Sequence, residues 1–259
     1  MYKTIQLEKF DRSAVLRLNR PDAMNAMDAV MMQELTACFE HLKQESAIQV
    51  LLIQGEGKVF SAGGDIKAML DAENIFDIDE VMGYLSRMVE AYYTLPMITI
   101  ASIHGASAGL GFSLALGADI VIAEEDSKLA MNFIGIGLVP DGGGHFFMAE
   151  RLGTMKAKQI IWQGELLTAK KALALGLIDY IADPGTGLAM ADQMIGQLLA
   201  SPILAMIETK QLLHAQKLPT LQAVLQGEAA AQSRMRKTAD HKEGIEAFVA
   251  KRPPKFEGK

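Results

Sequence analysis

Two six-residue runs dominated by apolar and β-branched side chains, Ile48 to Ile53 and Ile98 to Ile103, constrain this chain more than any other feature. Each is closed by glycine soon after, at Gly55 and Gly105, and each is followed by a loop of small residues. Beyond the loops lie helical apolar spacings, from Asp65 to Leu70 and from Leu110 to Leu116. The runs read as buried strands, and Ala118 to Ala123 supplies another. Strands alternating with helices argue for an α/β architecture on a mainly parallel inner sheet.

The rest of the chain fits around that centre. Residues 3–9 and 14–18 alternate polar and apolar about Phe10-Asp11-Arg12-Ser13, the pattern of an antiparallel hairpin, and Asn19-Arg20-Pro21-Asp22 breaks the second strand. Apolar residues at Val30, Met31, Leu35, Phe39 and Leu42 then predict a helix over 28–44. From about residue 143 the pattern is almost wholly helical. Gly176 ends a helix that starts near Leu166, and Pro184-Gly185 sets off a last group of three or four. The expected division is a core over 1–200 and a helical region over 201–259, with a surface tail at Lys251-Arg252-Pro253-Pro254-Lys255.

Composition excludes several classes. A formal net charge of -6 offers no positive field for nucleic acid, and no apolar run approaches the length of a membrane span. A single cysteine, Cys38, forbids an internal disulfide and fits a reducing compartment. The first residues lack the pattern of a secretory signal, so the expected location is cytoplasmic. Trp162, the single tryptophan, is expected to pack. No His, Cys and carboxylate spacing suggests a metal site.

Three loops can carry chemistry. Phe60-Ser61-Ala62-Gly63-Gly64-Asp65-Ile66-Lys67 joins a strand to a helix start, where the Gly64 N–H could donate to an oxygen that develops negative charge. An ordinary turn capped by Asp65 is the simpler reading of that loop alone. Gly105-Ala106-Ser107-Ala108-Gly109-Leu110-Gly111 offers a second helix N-terminus. Two donors could converge on one oxyanion if the strands are neighbours. The third loop, Gly135 to Gly144, puts Asp141 between Pro140 and three glycines. Asp141 is either a cap or turn former, or a general base that needs a dry pocket.

The second loop also matches the G-x-x-x-G-x-G spacing of short-chain dehydrogenases, with Glu124, Glu125 or Asp126 placed for a ribose. Against an NAD(P) site, the loop lies over a hundred residues into the chain. No Tyr-x-x-x-Lys pair follows any of the five tyrosines.

Taken together, the motifs resemble one family. Asn19-Arg20-Pro21 with Asn25-Ala26, Ser61-Ala62-Gly63-Gly64-Asp65, and His104-Gly105 through Gly109-Leu110-Gly111 with Ala118-Asp119 stand in the order and spacing of the crotonase (enoyl-CoA hydratase/isomerase) superfamily. Gly135-Ile136-Gly137-Leu138-Val139-Pro140, Arg151-Leu152-Gly153, Leu175-Gly176-Leu177-Ile178 and Glu243-Gly244-Ile245 extend the resemblance over nearly the whole chain.

The resemblance implies a superhelix of repeated ββα units with a helical C-terminal trimerisation region, giving homotrimers or homohexamers. It implies an acyl-CoA substrate, no separate cofactor and no metal. The oxyanion donors would be the N–H groups of Gly64 and Leu110. The CoA moiety would lie along Met24, Ala26, Ala62, Asp65 and Ile66, with Phe133 also against the substrate.

The family's hydratases place two glutamates around the attacking water, and these positions fall at Ser113 and Phe133, neither of them an acid. Asp141 falls where isomerase-type members carry an aspartate after Val-Pro. The resemblance therefore implies an enoyl-CoA isomerase with Asp141 as its single acid/base, ahead of a hydratase or a CoA-binding subunit of low turnover. Met69, Leu70, Phe112, Phe133 and Ile134 are candidates to line an apolar acyl pocket. Lys242, Lys251 or Arg252 could meet CoA phosphates, although a solvated tail is the simpler reading; His104 and His145 are expected to be structural.

Overall fold

A computed structural model describes residues 2–66 and 78–259. The chain opens with the expected hairpin, β1 (Ile5–Lys9) against β2 (Ser13–Leu18), paired from Ile5 with Leu18 to Lys9 with Ala14. Helix α1 (Ala29–Leu42) follows, its first turn capped by the Asp28 carboxylate, which accepts from the Met31 N–H at 2.8 Å.

The two constraining runs become β3 (Val50–Gly55) and β4 (Ile98–Ile103), and the third becomes β6 (Ile120–Glu124). With β9 (Tyr180–Ala182) at the far edge they form a six-stranded sheet in the order β1-β2-β3-β4-β6-β9, parallel from β2 onward. Side chains alternate between its faces. Leu51 and Ile53 join the main core with α1 and α2 (Ile78–Tyr93), whereas Val50 and Leu52 join a second cluster under α7 (Gly187–Leu199). Burial on both faces is why these strands are apolar almost throughout.

A second, smaller sheet holds β5 (Ala106–Ala108), β7 (Lys128–Ala130) and β8 (Leu167–Thr168), and Ser61 bridges to Ser107 beside it. Successive turns of chain thus run from the large sheet to the small sheet and into a helix. One turn is β3, the Ser61 bridge and helical Ile66. The next is β4, β5 and α3 (Leu110–Leu116), and the next β6, β7 and α4 (Gly144–Leu152). The expectation of a helix to Leu70 falls mostly on residues outside those described, as do Met69 and Leu70.

The stretch after residue 143 is helical apart from β8 and β9, which are too short to leave a periodic signal. It comprises α4, α5 (Thr154–Gln163), α6 (Ala169–Leu175), α7, α8 (Ile203–Met235) and α9 (Ala239–Val249). Thr168 caps α6, and left-handed Gly176 ends it. Helix α8 runs for 33 residues through Pro219, about 50 Å at 1.5 Å per residue. It is anchored to the sheet by Lys210, whose Nζ donates to Asp119 Oδ2 at 2.7 Å and to the Met97 carbonyl at 2.8 Å. Leu221 and Leu225 enter the main core.

Trp162 departs from expectation. It is 64% exposed on the outer face of α5, with the Lys158 ammonium 5.5 Å from its ring centroid. Among the described residues no single helix is long and apolar enough to cross a membrane.

Candidate active site

The first two loops meet through their backbones. The Ser61 N–H donates to the Ala106 carbonyl at 3.1 Å and the Ala108 N–H donates back to the Ser61 carbonyl at 3.0 Å. The loops after β3 and β4 therefore run side by side. Glycine makes the contact possible: a Cβ on Gly63 would stand 2.6 Å from the Ala108 carbonyl oxygen and 3.4 Å from the Leu110 nitrogen, and one on Gly111 would stand 2.6 Å from Ser61 Cβ. Gly63 also has φ +98°, a conformation that only glycine adopts without strain.

This pairing brings Gly64 and Leu110 to the same cavity. Met27 N–H donates to the Gly63 carbonyl and Asp65 N–H to the Met27 carbonyl, so the groups flanking the Gly64 N–H are taken. Leu110 opens α3, where an N–H has no acceptor in its own helix. Neither N–H donates to an acceptor among the described residues.

The Asn19 to Ala26 motif buttresses the first loop. Asn25 is fully buried with φ +52°; its Nδ2 donates to the carbonyls of Glu56 at 2.8 Å and Val59 at 2.9 Å, and its Oδ1 accepts from the Arg20 N–H. Arg20 reaches Asp65 at 3.0 Å and Asp28 at 3.2 Å. The Ala62 N–H donates to the Met24 carbonyl at 3.0 Å. Met24, Ala26, Ala62 and Asp65 are thereby gathered along one edge, with Met24 exposed and Ala26 buried. Ala62 and Ile66 continue from that edge into the cavity.

Asp141 enters from the opposite end of the sequence order. A Cβ on Gly142 would fall 2.3 Å from Leu110 Cδ1, so this glycine lets the acid loop close on the donor loop. Gly143, not Asp141, is the N-cap of α4. Asp141 forms a turn through its backbone carbonyl, which accepts from the Gly144 N–H and, at 2.8 Å, from Ser113 Oγ. Ser113, one of the two positions where an acid would make a hydratase pair, ties down the acid loop.

The Asp141 carboxylate is held by a side chain that sequence reasoning missed. Gln232 Nε2 donates to Oδ2 at 3.0 Å and to the Val139 carbonyl at 2.7 Å, while Oδ1 is sealed from solvent without a partner. Four residues earlier on α8, Glu228 is 3% exposed and accepts from the N–H groups of Gly143 and His145 and from His145 Nδ1, at 2.8, 3.1 and 2.9 Å. Burial pushes the Asp141 carboxyl up to about 8, helped by the Glu228 charge and opposed by the Arg236 guanidinium and the Gln232 hydrogen bond.

Glu228, Gln232 and Arg236 recur every four residues on one face of α8 and its C-cap, continuing the buried row of Leu221 and Leu225. That continuation is the only trace they leave in the sequence. Two polar side chains where a helix should be burying apolar ones mark a buried polar site.

Apart from Asp141, Arg236 and Asn132, the cavity, of about 180 Å³, is lined by apolar side chains and glycines, with Met32, Ile78, Met82, Leu85, Phe133 and Leu138 among its walls. Asp141 is the one carboxylate among its described lining residues. The Phe133 ring lies near Gly109. Phe112 is in the core, and Ile134 lines a neighbouring surface hollow. His104 is engaged by the Gly57 carbonyl and Arg252 by Glu243. Glu124 accepts from the Gly187 N–H and Glu125 pairs with Lys170, so two acids considered for a dinucleotide ribose have other partners. No cluster of metal-ligating side chains occurs among the described residues.

Comparison with known proteins agrees with this architecture. Residues 11–259 match the family model described as enoyl-CoA hydratase/isomerase. YhaR of Bacillus subtilis (strain 168), provisionally named as an enoyl-CoA hydratase/isomerase, is 48% identical over 246 residues, covering 94% of this chain and 95% of that one. The 1,2-epoxyphenylacetyl-CoA isomerase of Escherichia coli (strain K12) is 33% identical, with 94% of each chain covered. The crystal structure of an enoyl-CoA hydratase from Mycobacterium avium subsp. paratuberculosis K-10 superposes with a TM-score of 0.89 at 31% identity, covering 99% of this chain and all of that one.

Proposed function

The chain belongs to the enoyl-CoA hydratase/isomerase family, and from that membership we propose that it is an isomerase, shifting a double bond along an acyl-CoA with Asp141 as its single acid/base. The observation that carries this reading is a carboxylate that stands alone among the described walls of the cavity. Asp141 lines a cavity whose described walls hold no second acid, and its Oδ1 has no partner, Ser113 being turned to a backbone carbonyl and Phe133 being apolar.

In this reading the thioester oxygen accepts from the N–H groups of Gly64 and Leu110. Asp141, deprotonated, takes a proton from C2 of a 3-enoyl-CoA. The C2–H electron pair moves into the C1–C2 bond and the thioester π pair onto oxygen, giving a dienolate that the two amides stabilise. The carboxylic acid so formed returns the proton at C4, the electrons flow back, and a 2-enoyl-CoA results. A carboxylate whose proton affinity is raised by burial is a stronger base for a carbon acid than an ordinary aspartate. No cofactor beyond the CoA of the substrate is needed.

The CoA moiety would follow the edge formed by Met24, Ala26, Ala62, Asp65 and Ile66. Exposed apolar side chains on α5 and α8, Met155, Trp162, Leu204 and Leu212 among them, support a homotrimer or homohexamer, with residues 201–259 as the helical oligomerisation region. The free, buried Cys38 fits a cytoplasmic setting.

The test is turnover on paired 3-enoyl-CoA and 2-enoyl-CoA substrates, with migration and water addition followed separately in wild type and Asp141→Ala. Migration that disappears in the variant is the expected result. Water addition to the 2-enoyl-CoA without migration would overturn the isomerase reading in favour of a hydratase.

A further inference from the structure

Arg236 stands apart from the other arginines whose contacts are seen. Arg12 donates to Gln49 and to the Leu199 carbonyl, Arg20 to Ala26 and Asp65, Arg151 to Asp179, and Arg252 to Glu243. Arg236, at the C-cap of α8, makes no hydrogen bond and no ion pair among the described residues, and its Nε is sealed from solvent. It lines the same cavity as Gly64, Leu110 and Asp141.

A guanidinium carries five N–H donors and keeps its charge in any protein environment. Arg236 is part-buried, and leaving its sealed Nε–H unpaired is costly. Asp141 does not relieve it: no ion pair joins the two, and Asp141 Oδ2 is taken by Gln232. Burial lowers the Arg236 pKa while the Asp141 charge supports it, so the two sense each other without touching. Both residues line one cavity, and each has a polar atom lacking a partner.

We propose that Arg236 is a specificity-determining residue that reads an oxygen acceptor carried by the acyl group itself, beyond the thioester. The favoured ligands are then acyl-CoA thioesters bearing a carboxylate or a ketone oxygen on the acyl part, in place of plain hydrocarbon chains. A carboxylate would accept two N–H groups from the guanidinium fork and neutralise it; a ketone would accept one or two without neutralising it. A hydrocarbon chain would leave the Nε–H without an acceptor, and this mismatch is how a site built to hydrogen-bond one ligand rejects its apolar analogue. The inference rests on the reading that this cavity receives the acyl group. It does not depend on which reaction follows.

The experiment is calorimetric titration of wild type, Arg236→Met and Arg236→Lys with three saturated, unreactive acyl-CoA thioesters of matched length. One ends in a carboxylate, one in a methyl ketone and one in a methyl group. Wild type should prefer an oxygen-bearing ligand over the methyl-ended one by on the order of 100-fold, the span of a charged hydrogen bond, and the stronger of the two oxygen ligands identifies the acceptor.

Arg236→Met should reverse the order by tightening the methyl-ended ligand, and Arg236→Lys should keep part of the preference. Equal wild-type affinity for all three ligands would overturn the proposal, and needs no variant to be seen. So would a uniform loss across the panel in Arg236→Met, which would make Arg236 a support for the pocket. Failure of every thioester to bind wild type would overturn the pocket reading itself. Preserved discrimination without isomerisation would overturn only the proposed reaction.

Discussion

The two walls of the cavity are built by opposite means. The donor wall, Ser61 to Gly64 against Gly105 to Leu110, is backbone paired with backbone, and glycine at 63 and 111 permits the approach. The acid wall joins Asp141 to Gln232, 91 positions away, through side chains, with Glu228 and Arg236 adding charge. A backbone donor can be moved only by moving the chain that carries it, whereas the acid wall can be retuned by one substitution. The donor wall should therefore set how well an enolate is held, and the acid wall which proton moves and at what pH.

The largest break comes from emptying the acid wall. Asp141→Ala should lower kcat for migration by about 10²–10⁴, the usual worth of a positioned acid/base, with binding of a saturated acyl-CoA retained. In wild type kcat/KM should rise with pH toward a plateau with its midpoint near 8, because the base must be deprotonated and burial holds its proton to about that pH. A midpoint near 4 would mean that Asp141 titrates as an ordinary carboxylate and the acid wall is not dry.

Gly63→Ala attacks the donor wall. The new Cβ meets the Ala108 carbonyl, which forces the loops apart, and losing one aligned donor should reduce kcat by about 10²–10³. The pH midpoint should stay where wild type has it, since no titrating group is touched. A shifted midpoint would show that the two walls are not separable.

The same contrast decides what could be read from the chain. Close backbone approach and positive φ must be written as glycine, so the loops at 61–66 and 105–111 were legible, and so was Asp141 within Pro140 to Gly144. Their convergence was not, because the Ser61 and Ser107 bridge depends on β3 and β4 being neighbours. Glu228, Gln232 and Arg236 were missed because polar residues on a helix read as its wet face. Nothing local says that α8 folds back over the acid loop. Strands of two or three residues, such as β8 and β9, are shorter than the repeat needed to detect them.

Two substitutions behind Asp141 should move the pH profile in opposite directions. Gln232→Ala removes a hydrogen bond that favours the carboxylate and should shift the midpoint above 8, by about one unit for a bond to a charged group. Glu228→Gln removes a negative charge and should shift it below 8. Shifts of the same sign would mean that both residues act by holding the loop and not through charge.

The smallest effect is on stability, and it separates the walls without any substrate. Folded Asp141 keeps its proton to about pH 8, against an ordinary value of 3.8. Between those limits the folded chain binds more protons than the unfolded one, so this residue's contribution falls as pH rises through the window and levels off above about 8. Asp141→Asn, which can still accept from Gln232, removes that dependence. Its melting temperature should gain on wild type from pH 5 to pH 8, by roughly 2–4 °C for each kcal/mol in a chain of this size. Gly63→Ala should instead melt below wild type by an offset that does not change with pH, because steric strain carries no proton. A constant offset for Asp141→Asn as well would place its carboxylate in water, and the acid wall would then be no more tunable than the donor wall.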